Sequence, residues 1–385
     1  LKALLGDEVS LTGRTLLGWI AHRVQTNLAY GAASDGDITG GSLLPFWLMA
    51  GDFYQLPPTA DTILYNTDSK TVPANNGAAA FARFNDVVEL ETVVRQDDTQ
   101  TELRALLESM RLGSDALAYD MTFVEKLNMT NMPEAQQALY KLPGNGSIWA
   151  FPHWELAWKR NYDVLQMLND GYVSAVNERV DAVPVYKIYA ENTGSCAKKA
   201  SSDPFSQLPA SCYTARGLLM RITSNLFGEV GQSWGLVNGK MGTVLDVIFA
   251  PSGPSPDGET PPLGMPAVIV LHVPDYVGPV WIEGHPKVVP IIPVSKEGDC
   301  ECKCSRRMCP LQVAEGTSIH SLQGTTIGRG CDETDEDGVA LCVNCVDESH
   351  RGRCTIKRLA CDLGEPKLEG SPSFRNAALV AVSRC

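Results

Sequence analysis

The sequence predicts an α/β protein made of two α/β domains, with a small β-barrel-like insert in the second. Short apolar runs that end in polar turns alternate with segments of helical periodicity over residues 1–170. After Gly217, runs rich in Val and Ile between Gly- and Pro-rich turns replace the helices. The chain has 385 residues, of which 44% are hydrophobic, and this is enough to fill two or three cores.

The predicted first domain, residues 1–145, opens with a strand, a helix and a second strand. Both strands end in acidic turns, Asp7-Glu8 and Gly51-Asp52. Strand–helix–strand order predicts parallel pairing, so both acidic turns are expected at one edge of a sheet. The predicted elements of this domain, in chain order, are a strand, a helix, two strands and a helix: Leu1–Leu5, Leu11–Gln25, Leu43–Ala50, Val87–Leu90 and Glu102–Arg111.

The predicted second domain, residues 146–385, repeats the strand–helix pattern and then changes character. Its helix carries the 3.6-residue apolar period, and its later runs carry Val and Ile between turns. The β-rich insert is placed at about 235–295, and a Cys-rich insertion at about 329–361. The predicted elements are a strand, a helix, three insert strands and a final strand: Ile148–Phe151, Glu155–Asn169, Gly235–Val247, Ala267–Val273, Val288–Val294 and Ala377–Val382.

Charge and hydropathy restrict the class of protein. The formal net charge of −13 argues against a simple non-specific DNA binder, so any nucleic-acid role must depend on a local groove. No secretory signal is visible, and the longest apolar run, Leu43–Ala50, is too short to cross a bilayer. We therefore expect an intracellular protein with no membrane partner.

Two strand ends carry residues suited to phosphate chemistry. Asp7 and Glu8 could hold Mg²⁺ and orient a water, although two adjacent acids alone are more often an ordinary strand end. The segment Gly51–Pro58 reads Gly-Asp-Phe-Tyr-Gln-Leu-Pro-Pro and is more specific. Its prolines fix the loop, so the amide of Gln55 is held where it can sense a γ-phosphate.

These segments, taken in order, resemble the motifs of PIF-type, RecD-like superfamily-one DNA helicases. Asp7–Ser10 is similar to motif II, Gly51–Pro58 to motif III, and Val380–Arg384 to motif VI of that family. Several short motifs in the right order are far stronger than any one of them. The remaining similar segments lie between these: Val94–Gln96, Asn225, Gly235–Gly242 and Thr317–Thr326.

The resemblance implies two RecA-like P-loop NTPase domains, the first truncated, with an SH3-like insert in the second. It implies ATP and Mg²⁺ as cofactors, with Asp7 binding the metal, Glu8 activating water and Gln55 sensing the γ-phosphate. It also implies that Arg95 and Arg384 stabilise transition-state charge as arginine fingers. The nucleotide contacts implied by the resemblance are Asp7, Gln55, Gly324 and Arg384.

The same resemblance implies an activity and its partners. Thr317, His320, Gln323 and Thr325 would couple the second domain to single-stranded DNA. The protein would move 5′-to-3′ on single strands and unwind duplex junctions in genome maintenance: repair, recombination and telomere upkeep. The nucleus or the mitochondrion is the implied compartment, and the oligomeric state is left open.

The sequence departs from this family in three places, the mildest of which is Gly316, where the family commonly has Ala. No Gly-x-x-x-x-Gly-Lys-Ser/Thr segment occurs, so the phosphate-binding loop is expected upstream of Leu1, and the 385 residues alone are expected to be inactive. Ser321 stands where the family has Lys. Two other classes therefore stay open: a non-catalytic remnant that binds DNA or a partner protein, and a zinc-stabilised interaction module.

Ten of the twelve cysteines lie at or after position 300. Cys342-x-x-Cys345 has a spacing found in zinc knuckles, but the Cys-x-Cys-x-Cys run at 300–304 suits a single tetrahedral ion poorly. We expect no zinc, and we interpret the run as a cysteine-rich insertion without metal.

Overall fold

A computed structural model of the chain describes residues 3–35, 46–68, 71–91, 100–112, 125–143, 146–174, 178–194, 197–250, 264–298, 303–322 and 358–362. The described residues form two compact units, which divide between residues 112 and 125. Both combine helices with short strands. Within these segments, none of the helices has the length and apolar character that crossing a bilayer requires.

The first unit is built on a parallel strand pair. Strand β1 (Leu4–Gly6) pairs with β2 (Trp47–Met49), with Leu5 opposite Leu48. Helix α1 (Arg14–Asp35) lies between them in sequence, so the predicted strand–helix–strand unit and its parallel pairing are confirmed. Two further helices follow, α2 (Val72–Phe81) and α3 (Thr101–Leu112), and α3 confirms the helix predicted at Glu102–Arg111.

The strand predicted at Val87–Leu90 is wrong. These residues form no regular structure, and the side chains of Val87, Val88 and Leu90 are 85–89% exposed. An apolar run becomes a strand only when a neighbouring strand satisfies its backbone and a core covers its side chains. Among the described residues, neither is present for this run.

Helices α1 and α2 cross closely because glycine lies at the contact on both sides. A Cβ at Gly18 would collide with the carbonyl of Pro73, and a Cβ at Gly77 with the carbonyl of Arg14. The guanidinium of Arg14 is buried and donates to the carbonyl of Ala74 at 3.2 Å. A buried cation is acceptable here because backbone oxygens take its hydrogen bonds.

Asp61 caps the start of α1. Its carboxylate accepts hydrogen bonds from the backbone N–H of Thr15 at 3.2 Å and of Leu16 at 3.1 Å, which would otherwise lack partners. Burial acts to raise the pKa of Asp61, but the backbone hydrogen bonds from Leu16, Thr62 and Thr15 hold it below the ordinary value. The cap therefore ties the loop after β2 to the first turn of α1.

The second unit contains most of the described strands. Its α-helices whose bounds lie within the described residues are α4 (Glu134–Lys141), α5 (Trp154–Asp170) and the short α6 (Gly228–Ser233). Its strands, numbered in chain order from β3 to β17, are Ser147–Phe151, Tyr172–Val173, Arg179–Val180, Tyr186–Tyr189, Glu191–Thr193, Ser211–Thr214, Leu219–Ile222, Met241–Phe249, Pro266–His272, Val288–Ile291, Val294–Glu297, Ser305–Met308, Leu311–Val313, Gly316–Ser318 and Arg358–Cys361.

A parallel three-stranded sheet carries the α/β part of this unit. Strand β3 lies between β16 and β17 and is parallel to both. Thr317 is opposite Ala150, and Leu359 is opposite Ile148. Helix α5 follows β3 directly, so the strand predicted at Ile148–Phe151 and the helix predicted after it are confirmed.

The predicted β-barrel is instead an open sheet. Five antiparallel strands lie in the order β12-β11-β10-β9-β15, and the two edge strands do not pair with each other within the described residues. Strands β9 and β15 come from outside residues 235–295, so the sheet is wider than the stretch predicted to form it. The predicted strand Val288–Val294 is divided, because Pro293 has no N–H to continue the ladder and β13 joins β14 and β7 instead.

Arg306 on β14 organises the loop that precedes β8. Its side chain is fully buried and lies over the ring of Phe205, with 4.3 Å between the guanidinium carbon and the ring centroid. Arg306 donates five hydrogen bonds, one to the side chain of Asn192 and four to backbone carbonyls. The carbonyls belong to Ala197, Ala200, Ser201 and Leu208. All five guanidinium donors are therefore satisfied without a carboxylate.

Replacing Arg306 with Lys should lower the free energy of unfolding by roughly 3 kcal/mol or more, because an ammonium cannot serve five separate acceptors. Its neighbour Arg307 is the matched control: it is 44% exposed and pairs with Glu191 at 2.7 Å. Arg307→Lys should cost no more than about 0.5 kcal/mol. Urea unfolding of the two variants measures both values, and equal losses would contradict this account of the loop.

Candidate functional site

The first group of site residues lies at the carboxyl edge of β1 and β2. The backbone N–H of Ala50 donates to the carbonyl of Gly6 at 2.8 Å, and that of Val9 donates to the carbonyl of Ala50 at 2.9 Å. Gly51, with φ +151°, lies so close to the turn after β1 that an added Cβ would be 2.6 Å from the backbone nitrogen of Val9. The turns after the two strands are therefore in contact, as parallel pairing predicts.

The turn after β2 is fixed by Asp52. Its carboxylate accepts a hydrogen bond from the backbone N–H of Tyr54 at 3.0 Å, and its carbonyl accepts one from the N–H of Gln55 at 3.0 Å. Arg111, in the last turn of α3, forms an ion pair with the same carboxylate at 2.5 Å. Leu56 is 2% exposed and anchors the far side of the turn. The backbone that carries Gln55 is thus held from both ends.

Gln55 has an unsatisfied acceptor. Its Oε1 atom is buried and has no hydrogen-bond partner among the described residues. A buried amide oxygen that accepts no hydrogen bond lowers the stability of the folded protein, so its presence indicates a site where a further hydrogen-bond donor is expected. The structure thus places Gln55 at the predicted edge with an oxygen ready to accept.

The acidic pair Asp7-Glu8 follows β1 directly. Asp7 is exposed, and its Oδ1 accepts a hydrogen bond from the backbone N–H of Glu8 at 2.8 Å. Glu8 has φ 53° and ψ 49°, the left-handed region that non-glycine residues seldom adopt. Such strained backbone conformations cluster at functional sites.

The second group lies around β16. Thr317 is 2% exposed, and its Oγ1 has no hydrogen-bond partner among the described residues. The hydroxyls of Ser318 and Ser321 are hydrogen-bonded at 2.9 Å, and this bond shapes the short turn that follows the strand. His320, on that turn, is exposed. The structure therefore brings a buried threonine and an exposed histidine to the carboxyl end of one strand.

Helix α5 fixes the position of this strand. The side-chain amide of Asn161 donates to the carbonyl of Gly316 at 3.1 Å and accepts from its N–H at 2.7 Å. Asn161 is buried, and an added Cβ at Gly316 would meet the carbonyl oxygen of Ala157 at 2.5 Å. Only glycine allows the helix and strand to approach in this way.

Glu315 is a buried carboxyl directly before this strand. Burial raises its pKa to about 7, although the nearby guanidinium of Arg160 acts in the opposite direction. Its Oε1 accepts a hydrogen bond from the N–H of Leu219 at 3.3 Å. Arg160 donates to the carbonyl of Lys141 at 2.7 Å and lies over the ring of Trp149, with 5.2 Å to the ring centroid.

Two of the motif segments are joined in the structure. Oδ1 of Asn225 accepts a hydrogen bond from the N–H of Asn238 at 2.9 Å. Gly235 and Gly239 have φ values of +83° and +90°, which the tight turn between them requires. Lys240 pairs with Asp275 at 2.7 Å. Residues 235–240 therefore form a loop that precedes β10, whereas the strand was predicted to begin at Gly235.

The described ranges exclude several predicted site residues. Arg95, Gln323, Gly324, Thr325 and Arg384 lie outside them, as do Cys342, Cys345 and the strand predicted at Ala377–Val382. Their roles stay predictions.

Sequence patterns do not single out Arg111, Asn161 or Glu315. The partner of Arg111 is 59 residues distant and that of Asn161 is 155 residues distant, so no local pattern reveals either contact. For Glu315, its place before an uncharged run is a weak signal of burial, which sequence alone could have supplied.

No protein-family model matches the sequence, and no curated protein matches it. Solved structures do match. Pif1 helicase from Candida albicans is 16% identical with a TM-score of 0.58, over 100% of this chain and 70% of that chain. Bacteroides Pif1 bound to ssDNA is 15% identical with a TM-score of 0.53, over 100% and 68%.

Pif1 helicase from Bacteroides in complex with ADP-AlF3 and ssDNA is 14% identical with a TM-score of 0.52, over 100% of this chain and 68% of that chain. At these identities the likeness concerns the fold. The chain has an α/β fold with mixed sheets, similar to that of Pif1 helicases.

Glu315→Gln should change how stability depends on pH. The folded state raises the pKa of this carboxyl from 4.5 to about 7, so it favours the protonated form, and stability is lost as pH rises through that range. The neutral amide avoids this loss, so at pH 8 the variant should be more stable than the wild type by roughly 3 kcal/mol, and by much less at pH 4.5. Urea unfolding from pH 4.5 to 8 measures the difference, with the exposed Glu297→Gln as control. A difference that does not grow with pH would contradict the burial argument.

Proposed function

We propose that the protein is an ATP-dependent DNA helicase, in which ATP hydrolysis drives 5′-to-3′ movement on single-stranded DNA and unwinding at duplex junctions. The observation that carries the proposal is the carboxyl edge of the parallel strands β1 and β2, where the turn that carries Asp7 and Glu8 contacts the turn that leads to Gln55. The fold supports it, since structures similar in fold include a Pif1 helicase in complex with ADP-AlF3 and ssDNA.

The residues at this edge fit Mg²⁺ and a nucleotide. Magnesium takes oxygen ligands and keeps several waters, and an exposed carboxylate at a strand end, such as Asp7, suits it. Magnesium bound with ATP would neutralise charge on the phosphates. Glu8 would accept a proton from the attacking water, and the unpartnered Oε1 of Gln55 would accept a hydrogen bond from that water and hold its position.

The region of β16 would couple the second domain to DNA. His320 is exposed and can contact the strand directly, whereas Thr317 is buried and would act by positioning β16. From the family resemblance, Gln323 and Thr325 would also contact DNA, Gly324 would contact nucleotide, and Arg95 and Arg384 would stabilise charge on the transferring phosphate.

The wider features of the protein are part of the same proposal. Two RecA-like domains, residues 1–145 and 146–385, would form the motor, and the β-rich segment at about 235–295 would be its SH3-like accessory domain. The protein would act in genome maintenance in the nucleus or the mitochondrion.

The test uses the longest natural form of the protein that contains these residues. Glu8→Gln keeps the size and hydrogen bonding of the side chain but removes its basicity. The DNA-stimulated kcat for ATP should fall by about 100-fold or more, and unwinding should cease. Affinity for oligo(dT), measured by fluorescence anisotropy, should change little, because binding does not need proton transfer.

The matched control is Glu89→Gln, an exposed carboxylate of the same unit with no proposed role. It should keep wild-type kcat. Normal turnover in Glu8→Gln would show that the hydrolytic base is elsewhere. Absence of turnover in the wild type, with DNA binding intact, would favour a non-catalytic remnant.

A further inference from the structure

A cavity of about 620 Å³ lies in the second unit, between the start of α5, the loop before β8 and strands β9 and β15. It is separate from the carboxyl edge of β1 and β2, which belongs to the first unit. Its volume is in the range that proteins use for small ligands. None of its described lining residues is acidic, although Asp203 accepts a hydrogen bond from the lining residue Gln207 at 2.9 Å.

Arg221 supplies the cavity with a positive charge. It lies on β9, opposite Gln312 of β15, and donates one hydrogen bond to the side-chain oxygen of Gln312 at 3.1 Å. No carboxylate pairs with it among the described residues. Burial lowers the pKa of Arg221, but a guanidinium stays protonated at neutral pH. A protonated, partly buried guanidinium without a carboxylate partner is stabilised by contact with solvent or with an anion.

Comparison with Arg306 shows that Arg221 is not a structural arginine of the same kind. All five donors of Arg306 end on protein oxygens, and its side chain is fully buried. Arg221 has one hydrogen-bond acceptor among the described residues and lies over the ring of Trp154, with 5.6 Å to the ring centroid, so hydrogen-bond donors remain for a ligand. Arg306 in turn holds the loop residues Ala200 and Ser201, which line the cavity, so this wall is fixed before any ligand binds.

A second polar group of the cavity lacks a partner. Thr223, two residues after Arg221, is 7% exposed, and its Oγ1 has no hydrogen-bond partner among the described residues. It lines the same cavity. A buried hydroxyl that is left unsatisfied lowers stability, so its presence near a guanidinium that has no carboxylate partner among the described residues indicates a place for an oxyanion.

Aromatic side chains also line the cavity. Trp158 is 47% exposed and lines the cavity together with Tyr213. The Nζ atom of Lys187 lies 5.3 Å from the ring centroid of Tyr213 and adds a positive charge nearby. Flat aromatic surfaces next to cations suit a ligand that has both a planar ring and a phosphate.

We propose that this cavity binds one nucleotide, with its phosphate on Arg221 and Thr223 and its base against Trp158 or Tyr213. The nucleotide comes either from solution or from a single strand of DNA, because both present the same base and phosphate. This site does not depend on the proposed ATPase.

Isothermal titration calorimetry on the full chain tests the proposal, with dTMP, thymidine, inorganic phosphate and oligo(dT) as probes. dTMP or oligo(dT) should bind, thymidine and phosphate should bind more weakly, and Arg221→Gln should weaken binding by about tenfold or more. Tighter Arg221-dependent binding of oligo(dT) identifies a DNA strand as the source, and Arg221-dependent binding of dTMP alone identifies a free nucleotide.

Two further variants separate binding from folding. Thr223→Val removes the unpartnered hydroxyl at constant shape, so it should weaken dTMP or oligo(dT) binding without lowering stability. Arg307→Gln removes an exposed arginine that is not part of the cavity and should bind as the wild type does. Equal affinities of wild type and Arg221→Gln, or no binding of dTMP and oligo(dT) at millimolar concentrations, would overturn the proposal.

Discussion

Parallel pairing of short apolar strands is the constraint on which the rest of the structure depends. In the first unit it sets the turns after β1 and β2 against each other, so that Asp7, Glu8 and Gln55 share one edge. In the second unit it places β16 beside β3, with His320 at the carboxyl end of β16. Parallel strands bring their carboxyl ends together, and ligands of α/β proteins bind at such edges.

The strands bring the turns at their ends close together, and polar contacts between residues distant in sequence then fix the positions of these turns. The side chain of Asn161 forms hydrogen bonds with both the N–H and the carbonyl of Gly316, and Arg111 forms an ion pair with the carboxylate of Asp52. Arg306 satisfies four carbonyls of one loop. These contacts convert flexible turns into defined positions, because each buried donor or acceptor is costly to leave unmade.

The elements with local signals could be predicted from the sequence. Periodicity identified α1, α3 and α5, and the run Gly51–Pro58 identified the turn that carries Gln55. One strand prediction that needed a distant partner failed. Val87–Leu90 has the composition of a strand but no neighbour among the described residues to pair with.

The open sheet shows the same limit. The number of strands could be approximated from turns and β-branched residues, but whether the edges meet depends on register and twist. The sheet recruits β9 and β15 from either side of the predicted insert, and Pro293 directs the chain into a different sheet. The nucleotide-sized cavity was also not predictable, because Arg221 and Gln312 are 91 residues apart.

The proposed role as a DNA motor depends on the carboxyl edge of β1 and β2 in the first unit, where the turns that carry Asp7, Glu8 and Gln55 lie. The measurement that tests this most directly is the ATP-dependent displacement of streptavidin from biotin-labelled oligo(dT), by the longest natural form of the protein that contains these residues. The account predicts displacement from the 3′ end and none from the 5′ end, because the proposed movement is 5′-to-3′. Displacement from the 5′ end alone, or no ATP-dependent displacement from either end, would contradict it.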